Sequence, residues 1–337
     1  DAQSMPGLGS GSPSHEFFGV QPGLPITDVD ARAMADAGVG TMRFVLYWEA
    51  VQPGGAGPMR WEETDRLFQQ LALQGIKPFP VLLGDRDRVN ELVSTGLPGW
   101  KAFVSAAVDR YGPGGAFWSW FSAANPDVEP RPPTTWQVWN EQNSKGFWRP
   151  EPSPEAYASV LSTSADAIRG EDPTAQVVLG GMYGYSNMNA DDFLRELYAV
   201  PGAAGDFDIV AAHPYGAGNA AIATQIEALR DEMQLQGDGT TDMWITETGW
   251  ASEPVDDPDY SHLGLTEQGQ AEALDAAFRM LLAQRQEWRI RGVNWYSWRD
   301  SDVAACIFCQ YTGLVRNDGT AKPSLDAFAA LSAGGVP

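Results

Sequence analysis

Residues 134–143, TTWQVWNEQN, read as a short apolar strand that runs directly into a polar end, Asn140-Glu141-Gln142-Asn143. Seven other segments share its apolar character: 16–20 (EFFGV), 39–45 (VGTMRFV), 76–83 (IKPFPVLL), 176–181 (QVVLGG), 207–212 (FDIVAA), 243–246 (MWIT) and 292–297 (GVNWYS). They are nearly continuous in apolar residues rather than alternating. That is the pattern of parallel strands covered on both faces.

Helices with readable ends lie between them. Residues 28–37 form one closed by Gly38, and 62–74 form one closed by Gly75; glycine readily takes the left-handed conformation that follows a helix. Ser153-Pro154-Glu155 opens a third with a capping hydroxyl, a proline suited to the first turn and an acid at the positive helix end. Within 266–284, Leu274, Ala277, Phe278 and Leu281 recur at helical spacing as one apolar stripe.

Eight strand-then-helix units predict an α/β protein, a single (β/α)8 TIM barrel with extended βα loops. An open doubly wound sheet fits less well, because no G-x-G-x-x-G follows the first strand. Residues 1–14 (DAQSMPGLGSGSPS) read as a flexible N-terminal tail, and 15–337 as one (β/α)8 domain without an internal repeat or linker. Two stretches are expected as long loops. Residues 112–133 are rich in Pro and Gly and carry Phe117, Trp118, Trp120 and Phe121, a small satellite core or a substrate contact; residues 299–312 follow the last strand.

Composition narrows the function. The 337 residues hold 44 Asp+Glu against 22 Lys+Arg, a formal charge of −22. Such acidity gives no basic surface for nucleic acid, and no apolar run is long enough for a membrane span. Three His and two Cys leave little material for a zinc site, and no cofactor or metal is expected. The 13 Trp, 10 Tyr and 14 Phe suit sugar binding, although aromatics also build cores. Cys306 and Cys309 form a lone C-x-x-C, either a small loop-closing disulfide or two idle thiols. A secreted or extracytoplasmic monomer is expected.

Two strands end in a Glu set among Trp and small polar residues: Glu141 after the fourth strand, and Glu247 in TETGW at the seventh. In a barrel both emerge at the C-terminal rim. Two carboxyls facing each other are what glycosidic bond cleavage needs. One is kept protonated to donate to the leaving oxygen, and the other attacks the anomeric carbon or activates water.

These residues carry a resemblance. The chain resembles the clan A glycoside hydrolases, most like family 39, with family 5 close behind. The resemblance implies a (β/α)8 barrel and a retaining mechanism on an oligo- or polysaccharide, with Glu141 after Asn140 as acid/base and Glu247 as nucleophile. It extends to Arg43 in MRFVLYWEAVQP as support for the nucleophile, to His213-Pro214-Tyr215 at the sixth strand and to Trp298 as a sugar platform. Asn140 is then placed to meet the sugar 2-hydroxyl, and Tyr215 to orient Glu247. His213 is either a support from beneath or a satisfied buried histidine. Trp148 and Trp250 are further candidate sugar contacts. Family 39 xylosidases and iduronidases commonly carry an added β-sandwich for which 337 residues leave no room, so the resemblance leans towards shorter members. Alternatives are a catalytically silent carbohydrate-binding barrel, or an exo-acting xylosidase-like or arabinosidase-like enzyme. An aldolase would want a strand-end Lys, and only Lys77 lies in an expected strand, at its start.

Overall fold

Phe79 and Trp244 pack with ring centroids 4.4 Å apart and planes tilted by 35°, inside a closed ring of parallel strands. The structure, a computed structural model, describes residues 13–23, 25–184, 186–303 and 306–334; all of the expected tail but Pro13 and Ser14 lies outside them. The strands are β1 (Phe18–Gln21), β2 (Thr41–Tyr47), β3 (Lys77–Leu83), β4 (Thr135–Val138), β5 (Gln176–Leu179), β6 (Met182–Tyr183), β7 (Ile209–His213), β8 (Asp242–Thr248) and β9 (Ile290–Tyr296). β5 and β6 are two pieces of one stave, separated by Gly180 and Gly181. Pairing runs from β5 through β4, β3, β2, β1, β9 and β8 to β7, and Val178 opposite Ile209 closes the circle. The result is the expected eight-stave (β/α)8 barrel.

Alternation along each strand sorts the side chains. On β2, Met42, Phe44 and Leu46 join the large core under the helices, while Arg43 points to the axis. Phe79, Val178, Ile209, Ala211 and Trp244 fill the inner layer below it. A Cβ on Gly292 would press on the Trp244 indole, so glycine there makes room for the ring.

The helix signals fold as read. Thr27 and Asp30 form a capping box at helix Asp28–Asp36, and Ser153 accepts from the Ala156 amide at helix Pro154–Glu171. Gly38 and Gly75 have φ of 78° and 70°. The first two strands begin two residues later than expected, because His15–Phe17 is a 3-10 turn and Val39-Gly40 complete the connection.

One expectation is corrected. Residues 112–133 are not a loop throughout: Ala116–Ala124 is a helix between Gly115 and Asn125. Its Phe117, Trp118 and Phe121 are buried, Phe117 packs on Phe68, and Trp118 Nε1 donates to the Tyr111 carbonyl. The segment precedes a strand rather than following one, so it sits at the N-terminal end of the barrel, where Arg131 reaches Gly75. It extends the large core at the end of the barrel away from the rim. Cys306 and Cys309 are joined by a disulfide in the loop after β9. Among the described residues no helix is long and apolar enough to cross a membrane.

Candidate active site

At the C-terminal rim the structure gathers Arg43, Asn140, Glu141, His213, Tyr215 and Glu247. Arg43 organises the group. It is fully buried, and a guanidinium can only donate. Nη1 meets Glu247 Oε1 at 2.5 Å and also donates to Gln21; Nη2 donates to Asn140 Oδ1 at 2.6 Å and Nε to Gln137 Oε1 at 2.6 Å. Asn140 therefore turns its carbonyl inward, and its amide N–H groups have no hydrogen-bond partner among the described residues.

Glu247 owes its aim to an irregular strand. Thr246 touches Gln137 and His213 across the axis, and its neighbour Glu247 touches Arg43 on the same side. Consecutive residues of a regular strand point to opposite faces. The β8–β9 register shifts between Ile245 and Thr248, and such an irregularity lets both face inward. Tyr215 donates to Glu247 Oε2 at 3.1 Å.

Glu141 stands three residues past the end of β4 on a turned backbone, with φ of 73° at Trp139 and 42° at Glu141. Such conformations cost free energy and gather where a side chain must be aimed. Its amide donates to the Gly181 carbonyl at 2.9 Å, and Trp139 Nε1 donates to Phe147 O. Glu141 Oε1 lies 2.9 Å from His213 Nδ1.

One carboxylate oxygen each of Glu141 and Glu247, with a ring nitrogen of His213, all lie within 4.8 Å of one another. The two acids have different surroundings. Although 17% of the Glu141 side chain stays open, its carboxyl is deep enough that burial pushes its pKa up to about 8; the Glu247 charge adds to the rise and Arg43 opposes it. Burial, with a smaller push from Arg43, holds His213 well below its ordinary value, so the ring is neutral. Burial and then the charge of Glu247 raise the Tyr215 hydroxyl well above the usual phenol range. The three groups could in principle ligate a metal, but Arg43 already supplies the positive charge against Glu247, and a cation would have to enter beside it.

Three expected sugar contacts are elsewhere. Trp298 is 1% exposed and its Nε1 donates to Asp30 Oδ1 at 3.0 Å, behind the barrel rim. Trp148 is buried against Trp139 and Tyr157, and Trp250 donates to the Gly216 carbonyl at 2.8 Å. None offers a ring face to a ligand. Four residues not anticipated are part of the site: Gln21, Gln137 and Thr246 beneath it, and Tyr296 beside it, whose phenol is pushed up by burial and then by Glu247 and Glu141. The signal for Tyr296 was its place at the very end of the last strand. Beside Tyr215 lies a cavity of about 480 Å³ lined by Tyr183, Gly216, Asp259, Tyr260 and His262. A cavity of about 510 Å³ on the outside of β2, lined by Ile26, Phe44 and Leu67, contains none of the site's groups.

No protein-family model matches the sequence, and no curated protein matches it either. Solved structures do. A family 39 glycoside hydrolase from the gut symbiont Bacteroides cellulosilyticus WH2 superposes with a TM-score of 0.70 at 20% identity, over 95% of this chain and 64% of that one. A monomeric beta-xylosidase from Caulobacter crescentus CB15 gives 0.65 at 19% identity, over 96% and 69%. A beta-glucosidase from Thermotoga maritima gives 0.65 at 16% identity, over 92% and 86%. This chain spans just under two thirds of the family 39 structure and has the barrel fold that these three glycoside hydrolases share.

Proposed function

We propose that the chain is a retaining glycoside hydrolase that cleaves a bond in an oligo- or polysaccharide by double displacement. The observation that carries this reading is the pair of opposed carboxyls, Glu141 and Glu247, with oxygens within 4.8 Å of each other. Retaining enzymes hold their carboxyls about 5–5.5 Å apart, whereas inverting ones leave about 6.5–9.5 Å for a water molecule.

Glu247, pinned by Arg43 and Tyr215, attacks the anomeric carbon. Glu141, protonated by virtue of its buried place, gives its proton to the departing oxygen. Glu141, now ionised, takes a proton from water as that water releases the sugar from Glu247. The free amide of Asn140 is placed for the 2-hydroxyl, a contact that strengthens in the transition state. The cavity beside Tyr215 supports a substrate of more than one sugar: its volume falls in the range of ligand pockets, and the ring contacts Tyr215–Phe308–Tyr260 lead to it from the nucleophile. The Cys306–Cys309 disulfide supports a place outside the reducing cytoplasm.

The test is a panel of aryl glycosides and polysaccharides, followed by proton NMR of the first sugar released. The expected product has the anomeric configuration of the substrate. An inverted first product overturns double displacement. Oligosaccharide binding with no product over days, from any member of the panel, makes the chain a silent binding barrel.

A further inference from the structure

Beneath the acid lies a chain of buried polar groups whose donors and acceptors favour one assignment. It begins at Arg43, which can only donate, so the Gln137 atom facing its Nε is the carbonyl oxygen. The Gln137 amide nitrogen then points the other way, to the Leu179 carbonyl at 2.8 Å and Thr246 Oγ1 at 3.4 Å. Thr246 accepts there and has its hydroxyl proton free for its other neighbour, His213 Nε2, at 3.0 Å. A neutral imidazole carries one proton. With Nε2 accepting, that proton is on Nδ1.

The other side of the ring agrees. Nδ1 faces Glu141 Oε1 at 2.9 Å and Glu247 Oε2 at 3.6 Å. A bare Nδ1 would turn a lone pair on the Glu247 carboxylate and would draw the Glu141 proton onto Oε1, away from the leaving oxygen, whereas an Nδ1–H is attracted to both oxygens. The backbone has cleared space for the arrangement: a Cβ on Gly181 would land on His213 Nε2 and on Thr246 Oγ1.

We propose that Gln137 and Thr246 are positioning residues that lock His213 in its Nδ1–H tautomer, and that this fixes which oxygen of Glu141 carries the catalytic proton. Oε1 is occupied as the acceptor of the histidine N–H. The acid proton is therefore on Oε2, which has no protein partner among the described residues and is free for the leaving oxygen. After proton delivery the same N–H steadies the carboxylate. The catalytic half of this inference rests on the glycosidase reading; the tautomer half does not.

The experiment is a long-range proton–nitrogen NMR spectrum of ¹⁵N-histidine-labelled protein at neutral pH. The chain has only three histidines, and His213→Asn identifies the signals of this one. The expected pattern is a protonated Nδ1 and a bare Nε2. An Nε2–H pattern in the wild type overturns the lock whether or not the protein hydrolyses any glycoside. Thr246→Val should shift His213 to a mixed or reversed pattern, and Thr246→Ser should restore the wild-type one. On hydrolysed substrates, Thr246→Val should lose roughly tenfold or more kcat on poor leaving groups, with little change on activated aryl glycosides, and Thr246→Ser should recover that ratio. Equal losses on both classes would show that Thr246 serves only packing. If no glycoside is cleaved, the functional reading fails while the wild-type nitrogen pattern still decides the tautomer.

Discussion

The ends of β4 and β8 each supply a glutamate, and they hold it in opposite ways. Glu247 belongs to a strand, is buried, and is gripped by an arginine and a tyrosine that favour its charge. Glu141 has left its strand, stands on left-handed backbone and meets a neutral histidine. One carboxyl is thereby paired with a fixed cation; the other is kept protonated by burial and by its neighbour's charge. The same side chain takes two chemical roles because the two strand ends differ, which is the arrangement acid/nucleophile catalysis requires.

The comparison breaks most visibly at Glu247. Glu247→Ala should cut turnover by at least about 10⁴-fold, the scale of losing a covalent nucleophile. Added azide should then yield a glycosyl azide of inverted configuration. Wild-type turnover in that variant would end the assignment. Glu141→Gln should lose about 10²–10⁴-fold on poor leaving groups and far less on activated ones, read from kcat/KM across a leaving-group series.

Arg43 marks the contrast in stability. Arg43→Met strands the Glu247 charge and leaves Asn140, Gln137 and Gln21 without their donor. The expected loss is about 3–5 kcal/mol, as for other buried pairs broken from one side, measured by urea denaturation. A loss below about 1 kcal/mol would mean that the pair is not closed in solution.

Titration sharpens the difference. Glu141 must be protonated to act, so kcat/KM should fall as pH rises through about 8. Removing the neighbouring charge with Glu247→Gln takes away one cause of the elevation, so the Glu141 pKa should move down in a carbon-13 titration. An unmoved value would show that the two carboxyls do not sense each other.

Much of this contrast was legible in the sequence, and the reason is local. Asn140-Glu141 and Glu247 follow apolar strands, so topology alone brings them to one rim. Arg43 is legible through the resemblance, as the strand-two arginine that supports the nucleophile. The indoles are not legible, because Trp298, Trp148 and Trp250 neighbour the rim in sequence while their rings turn into packing that depends on distant elements such as Asp30 and Gly216. Gln137 and Thr246 look like ordinary strand residues until the barrel closes and sets them across the axis from Arg43 and His213. The helix Ala116–Ala124 is hidden by its Gly- and Pro-rich flanks, although its apolar run is dense enough to fold onto Phe68 and Tyr111.

The smallest expected effect belongs to that helix. Trp120 is 53% exposed and touches Phe117 at the far end of the barrel. Trp120→Ala should leave kcat/KM unchanged and lower stability by at most about 1 kcal/mol. A changed KM for a long polysaccharide would give this end of the molecule a part in substrate binding.

The break between β5 and β6 also sets a limit on redesign. At Gly180 any side chain would collide with Gln142, and at Gly181 with the imidazole and the threonine below it. Two positions with no side chain at all are thus among the least replaceable in the molecule. A library that retools this scaffold for a new sugar can vary the rim loops widely, but it has to hold residues 180 and 181 constant, because a single added methyl there reaches the acid through its floor.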